Sequence, residues 1–330
     1  MSDATYRIAV VGAGQLGSRH LQGLSKLAVS CEIDVVDPSA ASLETAKSRY
    51  AEMPTSVGVR AVRYHQSIAE LPTALDLVII ATSADIRMQV LEAILQRAKV
   101  RLMLIEKVLF QRAEEYERAE RLLRTHGVRA WVNCPRREYP VYQELLAHFA
   151  AFPPTYAQVY GGDWGLGCNG VHFLDLFALC FGEAVSSIDT TALDTTLPMS
   201  RRAGFREFTG TLRAVTPSGS RVELTSLAGS TMRLLITFRS ERATCIVDEA
   251  AGKLFVMIDG AEGGWSERSF RAPFLSELVA PVVTRMLESG ESHLPTLAES
   301  TAYHLPFVQT LAQFAVACEP SLPAGICPIT

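Results

Sequence analysis

Three glycines near the start of the chain have a spacing that can bind phosphate groups. Gly12, Gly14 and Gly17 form a G-x-G-x-x-G pattern between an apolar run, YRIAVV, and a helical stretch. In a strand–turn–helix unit such glycines permit a tight turn, close approach of a pyrophosphate and close helix–strand packing. The helix N-terminus then presents N–H groups to the anion. The pattern predicts a dinucleotide site that includes Gln15 and Leu16, with a purely structural turn as the alternative.

An acidic residue follows the next strand-like run, EIDVV. Asp37 lies 20 residues after Gly17 in the sequence. A carboxylate there accepts hydrogen bonds from ribose hydroxyls and repels a 2′-phosphate. This favours NAD over NADP, although Ser39 and Arg49 are near enough in sequence to help bind a 2′-phosphate.

Two basic residues occupy positions that suit proton transfer. Lys107 ends the strand-like run RLMLIEK, and doubly wound folds bind ligands outside the carboxyl ends of their strands. His172 lies on the apolar helical stretch GVHFLDLFALCFG, and imidazoles exchange protons near neutral pH. Each also has a structural alternative, which is an ion pair for Lys107 and a place in the core for His172.

Further polar residues are candidates for a substrate site. Asp175 can take part in catalysis or simply pair with an arginine. Arg136 and Arg137 can clamp an anionic substrate, or anchor a domain interface instead. In the glycine-rich segment GGDWGLG, Trp164 can stack on a substrate ring or lie in the core.

The cysteines suggest neither a metal site nor a disulfide framework. Cys168 precedes His172 by one helical turn, a spacing that permits a nucleophilic pair, but no other base is at hand. Together with Asp175 these residues lack a fourth ligand at a familiar spacing. The seven cysteines include no C-x-x-C pair, which indicates reduced thiols and a cytoplasmic location.

The order of apolar runs predicts two domains. Residues 1–128 alternate strand-like and helical stretches, which predicts a Rossmann fold with a doubly wound parallel sheet. In residues 129–330 strands with short connections dominate, and helices are expected near 170–182, 275–289 and 297–317. This predicts an α+β domain with an open, mostly antiparallel sheet, whose last helix can pack back on the first domain.

Composition excludes several classes of function. The chain has 330 residues, 48% of them apolar and 20% charged, and its formal net charge is −4. Without a basic run, neither nucleic acid nor a membrane surface is an expected partner. The N-terminal residues MSDATYR lack the apolar core of a signal peptide, and no apolar run has the roughly 18 residues of a membrane-spanning helix.

Four stretches in this order resemble the Gfo/Idh/MocA family of oxidoreductases, named after glucose-fructose oxidoreductase and inositol dehydrogenase. IEKVLF (105–110) is similar to its Glu-Lys-Pro motif, and IIATSADIR (79–87) to its Ala-Thr-Pro stretch. VNCPRREYP (132–140) resembles its V-x-x-N-R-R-x-x-P segment, and GCNGVHFLDL (167–176) its D-x-G-x-H-x-x-D helix. The resemblance runs over most of the chain.

The resemblance implies roles for individual residues. Lys107 matches the catalytic lysine of the family, and Glu106 its partner. His172 matches the catalytic histidine and Asp175 the acid three residues later. On this basis we expect His172 to act as the base and Lys107 to hold the substrate oxygen or share its proton. The nicotinamide half of the cofactor is expected to contact Ala81, Thr82, Ser83, Glu106 and Lys107.

The sequence departs from the family pattern at three positions. Val108 and Ser83 stand where the family has prolines, so we expect a less constrained backbone at residue 108. Cys168 stands where the family often has an aspartate one helical turn before the histidine. A thiol orients an imidazole less well than a carboxylate, and Asn169 can take over part of that role.

The resemblance implies an NAD-dependent enzyme that acts on a hydroxyl or keto group of a sugar, polyol or sugar derivative, including nucleotide-activated sugars. Two alternatives stay open, a redox-neutral NAD-using glycosidase and a non-catalytic NAD-binding sensor. The changes at residues 108 and 168 favour a sensor, whereas the presence of Lys107 and His172 argues against it. Because an open sheet needs cover, a homodimer or homotetramer through strands in 208–258 is expected.

Overall fold

The computed structural model describes residues 5–54, 56–150, 152–259 and 264–330. The chain divides into two compact units. The first contains the described residues up to Phe110, together with Glu114–Pro135 and Pro273–Ala298. The second contains Gln111–Ala113, the described residues of Arg136–Ala272, and Glu299–Thr330.

The described residues form two sheets and a set of helices. The strands are β1 (Tyr6–Val11), β2 (Cys31–Val36), β3 (Val59–His65), β4 (Ala74–Ile80), β5 (Lys99–Ile105), β6 (Arg129–Val132), β7 (Tyr156–Gly162), β8 (Ser187–Leu193), β9 (Gly210–Val215), β10 (Arg221–Leu227), β11 (Leu235–Arg239), β12 (Ala243–Asp248), β13 (Lys253–Ile258) and β14 (Ser266–Ser269). The helices are α1 (Gln15–Leu24), α2 (Ala40–Ala51), α3 (Ala84–Arg97), α4 (Ala113–Thr125), α5 (Pro140–Phe149), α6 (Leu166–Phe181), α7 (Leu275–Ser289) and α8 (Leu297–Cys318). No described helix is long and apolar enough to cross a membrane.

The first unit is built on a parallel sheet in the order β3-β2-β1-β4-β5-β6. Its central strands are almost continuous apolar runs whose last four residues are buried, as in β1, β4 and β5. Such runs suit strands that helices cover on both faces. The order reverses between β1 and β4, so a crevice for ligands is expected at their carboxyl ends. The predicted doubly wound fold is confirmed.

Helix α7 belongs to the first unit, although it follows the second sheet in sequence. It packs against α1 where Gly23 has no side chain, since a Cβ on Gly23 would stand 2.5 Å from Cβ of Val279. Its Val283 and Met286 are fully buried in the same core as the strands. The sequence placed the first domain within residues 1–128, whereas this unit also includes β6 and α7.

The second unit is built on an eight-stranded sheet in the order β14-β13-β12-β11-β7-β10-β9-β8. Strands β7 and β10 run parallel, and the other neighbouring strands are antiparallel. This confirms the predicted open, mostly antiparallel sheet. Two edge strands, β8 and β14, were not predicted.

Candidate functional site

The glycine turn joins β1 to α1 and leaves space above the helix N-terminus. Gly12 has a φ of 97°, and a Cβ there would stand 2.9 Å from the backbone carbon of Ala81. Gly17 packs directly on the carbonyl group of Gly12. A Cβ on Gly14 would meet no described atom within 4 Å, and no side chain caps α1 at this residue. The turn therefore leaves room for a pyrophosphate at N–H groups that favour an anion.

Asp37 fastens the turn to the end of β2. One carboxylate oxygen accepts the backbone N–H of Ala13 at 2.7 Å, and the other accepts that of Ser39 at 2.8 Å. The side chain is half-buried beside the turn. A carboxylate has about four acceptor sites, so Asp37 can still accept ribose hydroxyls.

The two residues that could favour a 2′-phosphate are engaged in protein contacts. Ser39 is the N-cap of α2 and accepts the N–H of Ser42 at 3.2 Å. The guanidinium of Arg49 donates to Ser18 Oγ at 2.6 Å and to Gln15 Oε1 at 3.0 Å. Arg49 thus braces the first turns of α1.

The carboxyl ends of β4, β5 and β6 lie side by side next to the glycine turn. Backbone hydrogen bonds continue the sheet one residue beyond each strand, from Ala81 to β1, from Glu106 to β4 and from Asn133 to β5. Ala81, Thr82 and Ser83 follow β4 and are part-exposed. The buried hydroxyl of Thr82 has no partner among the described residues, so it can bond to a ligand. The N–H groups at the start of α1 and the Thr82 hydroxyl together form a set of donors that fits a dinucleotide.

Arg87 of α3 holds this edge of the sheet in place, a residue that sequence reasoning missed. Its side chain is 1% exposed. The guanidinium donates to the carbonyls of Thr82, Val108 and Leu109. These bonds tie the loop after β4 to the loop that contains Lys107. A buried arginine was not predictable from the helical spacing alone.

Glu106 lies at the centre of a buried polar cluster. The Glu106 side chain is 3% exposed. Its Oε1 lies 2.7 Å from Nε2 of His20 and accepts a hydrogen bond from Nδ2 of Asn133 at 2.6 Å. Burial raises the pKa of Glu106, but the hydrogen bond and electrostatic influence of His20, the charge of Lys107 and the Asn133 hydrogen bond outweigh it. The pKa therefore lies below its ordinary value, and the carboxylate is ionised at neutral pH.

Lys107 is part-exposed between two buried residues, Glu106 and Val108. The Lys107–Val108 peptide bond is cis. Lys107 lies at the carboxyl edge of the sheet, directly after Glu106 in the chain.

In the second unit, α6 presents one polar face. His172 follows Cys168 by four residues and Asn169 by three, so it lies one turn from each, and all three are part-exposed. Glu207, which sequence reasoning missed, accepts the N–H groups of Gly167 at 2.8 Å and Cys168 at 3.3 Å. A carboxylate therefore caps α6 next to Cys168.

The side chain of Asn169 is hydrogen-bonded to the backbone of Trp164, just before α6. The indole N–H of Trp164 donates to the carbonyl of Thr225 at 2.7 Å, and its ring packs edge-on against Phe173 with centroids 5.2 Å apart. The amide of Asn169 donates to the carbonyl of Trp164 at 2.8 Å. The ring is therefore fixed in orientation and only part-exposed.

Asp175 lies in a buried ion pair. It is fully buried, and Arg137 donates to both of its oxygens, with Nη2 2.8 Å from Oδ1. The hydroxyl of Tyr303 donates to Oδ1 at 2.8 Å. Burial raises the pKa of Asp175, and Arg137 and Tyr303 offset that rise only in part. Of the two interpretations of Asp175, the arginine pair is the one the structure contains.

Arg136 is bound in the same way to a second acid. Its Nε and Nη2 donate to the two oxygens of Glu249 at 2.9 and 2.8 Å, and its guanidinium lies 4.3 Å from the ring centre of Phe173. Tyr142 donates to the same carboxylate at 2.6 Å. Neither Arg136 nor Arg137 thus presents an uncompensated charge to an anionic substrate.

The described residues contain no group of histidine, cysteine and acidic side chains that could hold a metal ion. Burial raises the pKa of the Cys31, Cys180, Cys245 and Cys327 thiols. These four thiols are therefore protonated and inert.

Comparison with known proteins agrees with this geometry. Residues 6–134 match the model of an oxidoreductase family with an NAD-binding Rossmann fold, the Gfo/Idh/MocA family. Over these residues the chain matches that family, in agreement with the resemblance recognised in the sequence. No curated protein sequence matches the chain.

Solved structures share the fold over nearly the whole chain. UDP-N-acetylglucosamine 3-dehydrogenase GnnA from Acidithiobacillus ferrooxidans is 19% identical with a TM-score of 0.69, over 95% of this chain and 97% of that one. An oxidoreductase from Agrobacterium radiobacter in complex with NAD+, L-tartaric acid and magnesium is 14% identical with a TM-score of 0.73, over 95% and 97%. Biliverdin reductase with biliverdin and NADP+ from Synechocystis sp. PCC 6803 is 17% identical with a TM-score of 0.70, over 93% and 98%. At these identities the likeness establishes the shared fold.

Proposed function

We propose that this protein is an NAD-dependent dehydrogenase or reductase that transfers a hydride between nicotinamide and a hydroxyl or keto group of a sugar, polyol or sugar derivative. The observation that carries the proposal is the open helix N-terminus at Gly14 on the same sheet edge as Lys107. The likeness to an enzyme named for a sugar nucleotide, UDP-N-acetylglucosamine, supports the substrate class.

The preference for NAD rests on Asp37. Its carboxylate is fixed by two backbone N–H groups at the end of β2, where it can accept ribose hydroxyls and repel a 2′-phosphate. The solved relatives contain NAD+ in one case and NADP+ in another, so this residue, rather than the fold, is the basis for the choice.

Proton transfer is assigned to His172 and Lys107. When bound, nicotinamide supplies the hydride acceptor or donor. In the oxidation direction, the part-exposed imidazole of His172 takes the proton of the substrate hydroxyl. The ammonium of Lys107 donates a hydrogen bond to the same oxygen and stabilises the negative charge that develops there. Asp175 acts indirectly, because its ion pair holds Arg137 against α6.

The polar groups on the α6 face suit a hydroxylated ring. An amide at Asn169 and the edge of the Trp164 ring can contact sugar hydroxyls and an apolar ring face. Both arginines that could have bound a phosphate or carboxylate are paired with Glu249 and Asp175. This favours an uncharged sugar or polyol over an anionic one at this face.

Assembly into a dimer or tetramer is proposed through the outward face of the second sheet. Side chains on this face include the exposed Tyr160 and Leu235 and the part-exposed Ile246 and Met257, and a groove of about 780 Å³ runs across it beside Trp265. Exposed apolar sheet faces of this kind favour association. A monomeric mass by light scattering would contradict this.

The seven free cysteines suit a reducing compartment, and we place the protein in the cytoplasm.

The deciding experiment follows reduced nicotinamide by its near-ultraviolet absorbance. Protein with bound NAD is mixed with a panel of sugars, polyols and nucleotide sugars, and Lys107→Met and His172→Asn are the matched variants. We expect reduction with one class of compound, and loss of turnover but retention of NAD binding in both variants. Confirmed NAD binding without reduction by any compound would instead favour a non-catalytic sensor or a redox-neutral cycle.

A further inference from the structure

His20 is a buried polar residue that the proposed chemistry does not use directly. It lies on α1, the helix that begins at the glycine turn, and its side chain is fully buried. A buried polar ring costs free energy unless it is hydrogen-bonded. Its Nε2 lies 2.7 Å from Oε1 of Glu106, on a different element of the unit.

The carboxylate of Glu106 depends on few donors. Oε1 is bonded by both His20 Nε2 and Asn133 Nδ2, at 2.7 and 2.6 Å. Among the described residues, the titratable groups that act on this carboxylate are His20 and Lys107. A carboxylate buried to this extent takes up a proton when its donors are removed, because desolvation disfavours the charged form.

We propose that His20 is a positioning residue that, together with Asn133, keeps Glu106 ionised so that its negative charge holds the ammonium of Lys107 in place. The proposal deepens the proposed function and rests on it for the role of Lys107. Since α1 also begins at the cofactor turn, His20 connects the helix that holds the dinucleotide with the lysine that contacts substrate. The side chain of His20 is fully buried, so it acts through Glu106.

Loss of the His20 donor and loss of the Glu106 carboxylate should differ in their pH dependence. Without the His20 donor, Glu106 is protonated near neutral pH and Lys107 loses its counter-charge, yet alkaline pH restores the carboxylate. With Glu106→Gln, no pH restores the charge. A merely structural role for His20 predicts a defect that does not change with pH.

The test compares His20→Leu with His20→Gln, whose amide can still donate to Glu106. We expect turnover of His20→Leu to fall about tenfold or more at neutral pH, since each pKa unit above the assay pH costs tenfold. It recovers at alkaline pH, whereas Glu106→Gln stays impaired throughout. His20→Gln retains most activity at both pH values. A defect in His20→Leu that is equal at neutral and alkaline pH would overturn the proposal.

A second measurement needs no turnover. Infrared spectra of the folded variants at neutral and alkaline pH report the carbonyl stretch of a protonated carboxylic acid. We expect this band in His20→Leu at neutral pH, and its loss at alkaline pH, in His20→Gln and in the double variant His20→Leu/Glu106→Gln. Absence of the band from His20→Leu would reject the inference. If the wild type shows no turnover, the proposed function fails and this measurement still decides the state of Glu106.

Discussion

Gly17 lies so close to Gly12 that a Cβ atom on Gly17 would stand 1.7 Å from the carbonyl oxygen of Gly12. Gly14, between them, faces space in which a Cβ would meet no described atom within 4 Å. The three glycines of one motif therefore serve different purposes. Two permit the backbone to fold, and one keeps a surface open.

This difference predicts opposite effects of two alanine substitutions. Gly17→Ala should destabilise the protein by about 2–3 kcal/mol, because the backbone must move to admit the methyl group. Gly14→Ala should cost less stability, about 1 kcal/mol for a poorer N-cap, since no atom obstructs the methyl group, but should weaken NAD binding. Differential scanning fluorimetry and NAD titration separate the two. Unchanged NAD affinity in Gly14→Ala would mean that the pyrophosphate lies elsewhere.

Asp37 is expected to determine the choice of cofactor. Asp37→Ser removes the negative charge and keeps a small acceptor for the N–H of Ala13. We expect weaker binding of NAD, and binding of NADP that becomes stronger relative to NAD, because the repulsion of the 2′-phosphate is gone. Dissociation constants for both cofactors, measured with wild type and variant, test this. An unchanged ratio would show that Asp37 only fastens the turn.

The Arg137–Asp175 pair is expected to contribute to stability. Arg137→Met leaves a fully buried carboxylate without its partner, and we expect a loss of about 3–5 kcal/mol in the free energy of unfolding. The double variant Arg137→Met/Asp175→Leu should recover much of that loss, since neither charge is left uncompensated. Urea unfolding monitored by tryptophan fluorescence measures both. A double variant as unstable as the single one would mean that the pair is needed for more than charge balance.

Glu249 should make stability depend on acidic pH. Burial raises its pKa, but the charge and hydrogen bonds of Arg136 and the hydrogen bond of Tyr142 bring it below the ordinary value of 4.5. A carboxyl with a lowered folded-state pKa stabilises the fold above its unfolded pKa, and this contribution is lost as the pH falls through the folded-state pKa. The stability gap between wild type and Glu249→Gln should thus be widest at neutral pH and shrink below pH 4.5. Urea midpoints at both pH values test this, and a constant gap would refute it.

The sequence predicted the fold where local pattern and burial agree. Strands such as β4 are continuous apolar runs, and both closing helices begin at Leu275 and Leu297, near the expected positions. Strand β14 was missed because all four residues of SERS are exposed, so an edge strand has no apolar signal. Helix α7 packs in the first unit through contacts such as the one with Gly23. No local sequence pattern encodes such a contact.

The site was predictable in its backbone and less so in its side chains. The glycine turn and Asp37 have fixed spacings, so they could be recognised directly. His20 looks like any polar residue on a helix, and only the fold shows that it faces Glu106. The partners of Arg136 and Arg137 are 113 and 38 residues away, at Glu249 and Asp175, so the sequence alone did not show that both arginines are paired within the protein.

The parallel pairing of β7 with β10 has a consequence for how the second unit folds. Tyr156, at the start of β7, pairs with Arg221 on one side and Arg239 on the other. The first strand of this sheet to emerge during synthesis therefore has no neighbour until the chain between them, α6 included, has been made. Pairings of such large sequence separation close slowly. We therefore expect the helix with His172, which lies between these strands in the sequence, to be in place late in folding.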